Sequence, residues 1–252
     1  MRIDAHVHLP VNNTCTTFAE KKDYLLRAME QYQLERCIVI SDSCSDSPIG
    51  SMEECVSLFA KENSRVSVVG GFSPLVESAA QLAKMELYLE QKSLIGIKLF
   101  PGHEAFYLTD QRLEPIYRLA LQYHVPVLFH SGGAHNPYSS VNEVKAVLDR
   151  YPEMKLVCCH CFYPNLTLCR PLISYPNLYF DISSVADNQR SLGTIQQEIK
   201  ALITLVPDRV LFGSDAFGCS MGAHISLVKG MQLPPDQEKR LFAQNAVELY
   251  GL

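Results

Sequence analysis

Ile3-Asp4-Ala5-His6-Val7-His8-Leu9-Pro10 opens the chain as an alternation of apolar and polar residues. Alternation with a period of two marks a strand, in which side chains two positions apart share a face. Asp4, His6 and His8 are therefore expected on one face, with Asp4 one step deeper. Two imidazoles on one face of a rigid strand can supply half of a metal site, because neutral imidazole is a good ligand for zinc and its neighbours. The residues just after the strand separate two α/β folds. An open, doubly wound sheet places a glycine-rich phosphate loop directly after its first strand. Here that position reads His8-Leu9-Pro10-Val11-Asn12-Asn13, and neither Gly70-Gly71 nor Gly132-Gly133 has a phosphate-loop setting.

Working outward, seven further apolar runs read as strands: Arg36–Ser41, Val66–Phe72, Leu94–Phe100, Pro126–His130, Lys155–His160, Leu178–Ile182 and Val210–Ser214. Stretches with helical spacing lie between them at Phe18–Leu34, Met52–Asn63, Glu77–Gln91, Arg112–Tyr123, Val141–Tyr151 and Gln189–Leu205. Strand followed by helix, repeated along the chain, is the pattern of a (β/α)8 TIM barrel. No low-complexity segment, charge block or Gly/Ser linker marks a boundary, so residues 1–252 are expected to form a single, distorted barrel domain.

The composition fits that reading. A chain of 252 residues, 47% hydrophobic, is long enough to bury a large core. A net charge of -5 and a pI near 5.9 give no global basic field, so nucleic acid is not expected as a partner. No run approaches the roughly 18 apolar residues of a membrane span. Asp4, His6 and His8 interrupt any N-terminal signal, and the expected location is cytoplasmic. The nine cysteines are odd in number and are expected as reduced thiols. Cys158-Cys159-His160-Cys161 lacks the paired spacing of a zinc knuckle and reads as core filling, since neighbours in an apolar strand face opposite ways.

Barrel active sites lie at the C-terminal ends of the strands. His6 and His8 stand at that end of strand one, Lys98 in strand four, His130 in strand five, His160 in strand six and Asp215 in strand eight. Each ionisable group closes an otherwise apolar run. Burying such groups costs several kcal/mol unless they are paired or hold an ion. Metal ligation is the simplest common explanation for five strands ending this way, with zinc the expected ion and manganese the alternative. His103, Glu104, Tyr107, His135 and Asn136 follow strands in loops that face such a pocket, and His103 and His135 are candidate substrate contacts. Asp181 is placed to orient a ligand histidine. His124 stands at a helix C-terminus, and His224 and the polar loop of Asp42, Ser43 and Asp46 carry no assigned role.

The segments IDAHVHLP (3–10), GIKLFPGHEAF (96–106), PVLFHSGG (126–133), KLVCCH (155–160), LFGSDAFG (211–218) and NAVELYGL (245–252) together resemble the amidohydrolase superfamily. The likeness is to the branch called amidohydrolase family 2, which includes hydrolases and the aminocarboxymuconate-semialdehyde decarboxylase type. The resemblance implies His6, His8, His130 and Asp215 as ligands of one metal. It implies Asp215 and His160 as the groups that handle the proton of an attacking water. Lys98 divides the family. Carbamylated, it would bridge to a second metal also held by His160; plain, it is a cation for a substrate carboxylate. The motifs favour one metal and a plain lysine. The expected activity is metal-dependent hydrolysis of an amide, lactone or ester in a small-molecule substrate. The alternatives are decarboxylation of an unsaturated or aromatic acid, and a barrel that binds a ligand without turnover. Members of this branch often pair, so a homodimer is an expectation.

Overall fold

The computed structural model describes residues 1–11, 14–61, 65–76, 78–133, 136–186 and 191–252. Its strands are β1 (Ile3–Val7), β2 (Arg36–Ile40), β3 (Val66–Phe72), β4 (Ile97–Leu99), β5 (Val127–His130), β6 (Leu156–Cys159), β7 (Leu178–Asp181) and β8 (Val210–Leu211). They pair in parallel, each with the next, in the order of the sequence. The ring closes between β8 and β1: the Ala5 N–H donates to the Phe212 carbonyl at 2.9 Å and the Asp215 N–H to the His6 carbonyl at 2.8 Å. The eight-stranded barrel is as expected, with β8 shortened to two residues.

Helices α1 (Phe18–Gln31), α2 (Met52–Phe59), α3 (Ser78–Glu90), α4 (Glu114–Tyr123), α5 (Val141–Arg150) and α6 (Leu192–Leu205) match the six helical stretches read from the sequence. The expected ends at Asn63, Glu77 and Gln189 lie outside the described residues. Local chemistry sets the starts. Thr17 with Glu20 and Ser51 with Glu54 form capping boxes, which satisfy orphan N–H groups at the entries of α1 and α2. His124 ends α4 in the left-handed conformation at φ 55°, its N–H returning to Ala120 and Leu121. After β8 come α7 (Met221–Gly230), α8 (Pro235–Lys239) and α9 (Asn245–Tyr250).

Two departures from the simple repeat matter for function. No α-helix follows β6; 3-10 turns at His160–Phe162 and Leu166–Leu172 take its place. Pro164 and Pro171 lack the N–H groups a longer helix would use there. Strict alternation also fails in β1, where the register shifts between Asp4 and Val7. Ile3 and Ala5 pack in the barrel interior, yet Val7 belongs to the outer layer under the helices. An irregularity of this kind re-aims side chains beside active sites. His6 and His8 share a face as expected, whereas Asp4 leaves it: its Oδ1 accepts from the N–H groups of His6 at 3.2 Å and Ser214 at 3.0 Å. Inside the barrel Ile38, Ile40, Val69, Leu128, Val157 and Leu211 fill the core, closed from the strands' N-terminal end by α9.

Candidate metal centre

Strand ends deliver the site. His6 and His8 leave β1, and Asp215 follows β8 at φ 63°. Left-handed backbone is strained for a residue with a side chain, and such strain collects at functional sites. It turns the Asp215 carboxylate toward β1. Asp215 Oδ1 lies 3.4 Å from His6 Nε2 and 3.2 Å from His8 Nε2. Among the described residues, His6, His8 and Asp215 form one close group of donors, and His6, Cys159 and Asp181 a second, buried one.

Hydrogen bonds behind the rings fix which nitrogen faces the cavity. His6 Nδ1 meets Asp181 Oδ2 at 2.5 Å, and a carboxylate can only accept, so Nδ1 carries the proton. His8 Nδ1 donates in the same way to the Ile40 carbonyl at 2.9 Å. The Ser183 hydroxyl donates to Asp181 Oδ2 at 3.0 Å and accepts from His160 Nδ1 at 2.9 Å. All three rings therefore present an Nε2 lone pair forward. His6 Nε2 is buried and has no hydrogen-bond partner. A lone pair held out of water, beside a second imidazole and a carboxylate, fits a divalent ion, and rear hydrogen bonds of this kind orient metal-binding histidines.

The electrostatics agree. Burial pushes the His160 imidazole down to about 3 and pushes His6 and His130 below the ordinary range, so the rings are neutral and able to ligate. Burial opposes ionisation of Asp215, but the His8 hydrogen bond and the nearby His6 and His160 outweigh it and hold the carboxyl well below its usual range. Asp181 is held low in the same sense, burial being overcome by His6. Asp4, lacking any such ring, is raised by burial to about 7.

The remaining expected residues gather round a cavity of about 660 Å³ that His6, His8, Lys98, His103, His130, His160 and Asp215 all line. His130 packs its ring against His103 at 4.1 Å and His160 at 4.9 Å between centroids, a step from the closest donor group. Lys98 is 1% exposed. Its Nζ donates to Cys159 Sγ at 3.1 Å and sits over the Phe100 ring; among the described residues it forms no ion pair. Glu104 also lines the cavity, where it accepts from the hydroxyls of Ser43 and Ser73 and so ties the loops after β2, β3 and β4. His135 lies outside the described residues. His124 and Asp46 take no part in the cavity lining, and Asp42, though at its edge, accepts from its own loop at Ser43 and Ser47.

Two residues acquire roles that the sequence reading missed. Ser183 links His6, His160 and Asp181, and its signal was the i, i+2 spacing from Asp181 just past the strand. His224, fully buried on α7, receives the N–H groups of Val185 at 3.1 Å and Ala186 at 3.2 Å on Nε2 and gives its Nδ1 proton to the Ser220 carbonyl at 2.8 Å. It fixes the loop after β7 that carries Ser183 and Ser184.

Comparison with known proteins returns one profile and a set of folds. The family model described as amidohydrolase matches residues 3–252. No curated protein matches the chain. An uncharacterised TIM-barrel protein from Bordetella bronchiseptica superposes with a TM-score of 0.80 at 19% identity, covering 99% of this chain and 98% of that one. A 4-oxalomesaconate hydratase from Rhodopseudomonas palustris gives 0.71 at 18% identity, over 100% and 96% of the two chains. A dihydroxybenzoic acid decarboxylase from Polaromonas sp. JS666, solved with manganese and the inhibitor 2-nitroresorcinol, gives 0.70 at 14% identity, over 99% and 96%.

Proposed function

From its membership of the amidohydrolase family, to which this chain belongs, we propose that it is a metal-dependent decarboxylase of a small aromatic or unsaturated acid. The observation that carries this reading is Lys98, a buried cation without a carboxylate partner among the described residues, in the same cavity as the converging Nε2 atoms. A cation in that setting favours an anionic substrate and stabilises charge that develops as carbon dioxide leaves. The cavity walls suit a flat apolar body, with Leu9, Val11, Ile49, Phe100 and Phe217 around the polar floor. The manganese-bound decarboxylase with the same fold supports the assignment without fixing the substrate or the metal.

His6, His8 and Asp215 would hold the ion, with His130 completing the set. Bound there, a divalent ion supplies Lewis-acid polarisation of a substrate oxygen and acidifies water from about 15.7 to about 7. The protein's own groups do the rest. Lys98 binds and orients the acid. This reading takes Lys98 as an unmodified lysine, and its Nζ donates to the Cys159 thiol at 3.1 Å. His160, protonated on Nδ1 toward Ser183, keeps Nε2 free to take a proton and return it.

That free Nε2 specifically favours a second reading, hydrolysis of an amide, lactone or ester, in which His160 and Asp215 deprotonate water. One assay separates the two. Hydroxylated aromatic acids, unsaturated acids, lactones and amides would be incubated with the protein and Mn2+ or Zn2+. Release of carbon dioxide is the expected outcome; a product that keeps every carbon and gains water would overturn it in favour of hydrolysis or hydration. Lys98→Met should raise KM at least about 10-fold, the loss of one charge-assisted contact, while leaving bound metal unchanged.

A further inference from the structure

Lys98 and Asp181 carry opposite charges and are each 1% exposed, yet among the described residues they form no ion pair with each other. Buried lysine and aspartate side chains are ordinarily paired, because charges taken out of water attract strongly. The residue in contact with Lys98 and next to Asp181 is Cys159, which reads in sequence as core filling. Its side chain is wholly buried in the barrel interior. Strand register sets it beside Asp181 on β7 and two positions beyond Val157, in the row that runs through Leu128 to Lys98. Its Sγ accepts from Lys98 Nζ at 3.1 Å. The same sulphur lies within 4.8 Å of a His6 ring nitrogen and of an Asp181 carboxylate oxygen. The ammonium and the carboxylate are one sulphur apart.

Each of the two charged groups has a task elsewhere. Asp181 Oδ2 holds His6 Nδ1 at 2.5 Å and so keeps His6 Nε2 toward the candidate metal centre. Lys98 lines the cavity. A direct Lys98–Asp181 pair would take the carboxylate from His6 and draw the ammonium away from the cavity. We propose that Cys159 is a positioning residue: its thiol is the spacer that keeps the Lys98 ammonium off the Asp181 carboxylate, so that each serves the centre separately. The inference rests on the reading of His6 as a metal ligand and of Lys98 as an unmodified lysine.

The residue type suits the task. A thiol is small, behaves largely as an apolar group and accepts a hydrogen bond only weakly. It takes one of the three ammonium donors of Lys98 and leaves two. It fills the space beside Asp181 without offering a charge of its own. A carboxylate at position 159 would neutralise Lys98. An alanine there would leave a gap in a close-packed interior, and the flexible four-carbon stem of Lys98 would let its ammonium move into it.

The test is a double-substitution cycle on the intact protein, read by two signals. The first is the downfield proton resonance of His6 Nδ1, held against a carboxylate, in metal-free protein; it is assigned by its loss in His6→Gln. The second is Mn2+ affinity, measured by competition with a chelator. Cys159→Ala is expected to shift or abolish the resonance and to weaken Mn2+ binding about 10–100-fold, the cost of losing the partner behind a ligand. Adding Lys98→Met removes the misplaced charge and is expected to restore both signals to the parent values. Cys159→Ser, which keeps an acceptor in the gap, should retain both. A packing role alone predicts no rescue, since the double variant has the same gap. A Cys159→Ala protein with the parent's resonance, or a double variant as impaired as Cys159→Ala, would overturn the proposal. Should Cys159→Ala not fold, the double variant decides: it is expected to fold with the resonance in place, and its failure to do so would overturn the proposal. A parent protein that binds no Mn2+ would count against the metal centre, and the resonance would still decide whether Cys159 is the spacer.

Discussion

One hydroxyl, that of Ser183, sits between two imidazoles and a carboxylate and thereby fixes where three protons lie. Removing it should loosen His6 and His160 without removing a ligand. Ser183→Ala is expected to weaken metal binding by about 10–100-fold, the usual cost of losing a partner behind a ligand, as read by competition with a chelator. Gly213 is constrained for a different reason: a Cβ there would stand 2.5 Å from Asp181 Oδ1 and 2.8 Å from His6 Cβ. Gly213→Ala should therefore displace the rear carboxylate and cost about 1–3 kcal/mol in a urea titration. Asp4 sets a pH dependence. Its carboxyl is raised by burial from 3.8 to about 7, so the stability it permits is complete below its unfolded value and is lost as pH rises through about 7. Asp4→Asn should gain stability over the parent progressively between pH 4 and 7, and a gap that is flat with pH would refute the assignment. At this scale the sequence exposed residues that close apolar runs, such as His130 and Asp215. It hid those, like Ser183, whose importance lies in a partner far along the chain.

Elements were legible where their chemistry is local. Ser51 and Glu54 mark the start of α2 by a box contained within residues 51–54, and Ser51→Ala should lower stability by about 1 kcal/mol while leaving bound metal intact. Strand β1 shows the limit. Its alternation predicted a shared face for Asp4, His6 and His8, but the register shift between Asp4 and Val7 depends on how β1 meets β2 and β8, which no local pattern encodes. The stretch after β6 was equally opaque. Its prolines forbid a regular helix, yet the left-handed turn at 160–162 is a product of tertiary fit.

At the scale of the whole molecule, the barrel was readable because strands and helices recur with the right spacing, and because no phosphate loop follows β1. A barrel puts every strand's C-terminal end on one face, so six residues from five strands meet although 209 positions separate His6 from Asp215 (215 minus 6). The neutral, burial-depressed imidazoles bear on how the whole assembly responds to acid. Metal should stay bound as pH falls from 8 to 6, because His6, His130 and His160 do not protonate in the ordinary range near 6.5. Substrate chemistry was the least legible, since the family's strand ends are shared by lyases and hydrolases alike. Among the described residues no helix is long and apolar enough to cross a membrane.

His6, His8 and Asp215 are proposed to converge on a divalent ion. Elemental mass spectrometry of the purified protein, after incubation with Mn2+ or Zn2+ and desalting, tests it most directly. The expected result is about one metal per chain in the parent protein and loss of that metal in folded His6→Ala and Asp215→Asn variants. A parent protein that binds no ion, or variants that retain a full complement, would contradict it.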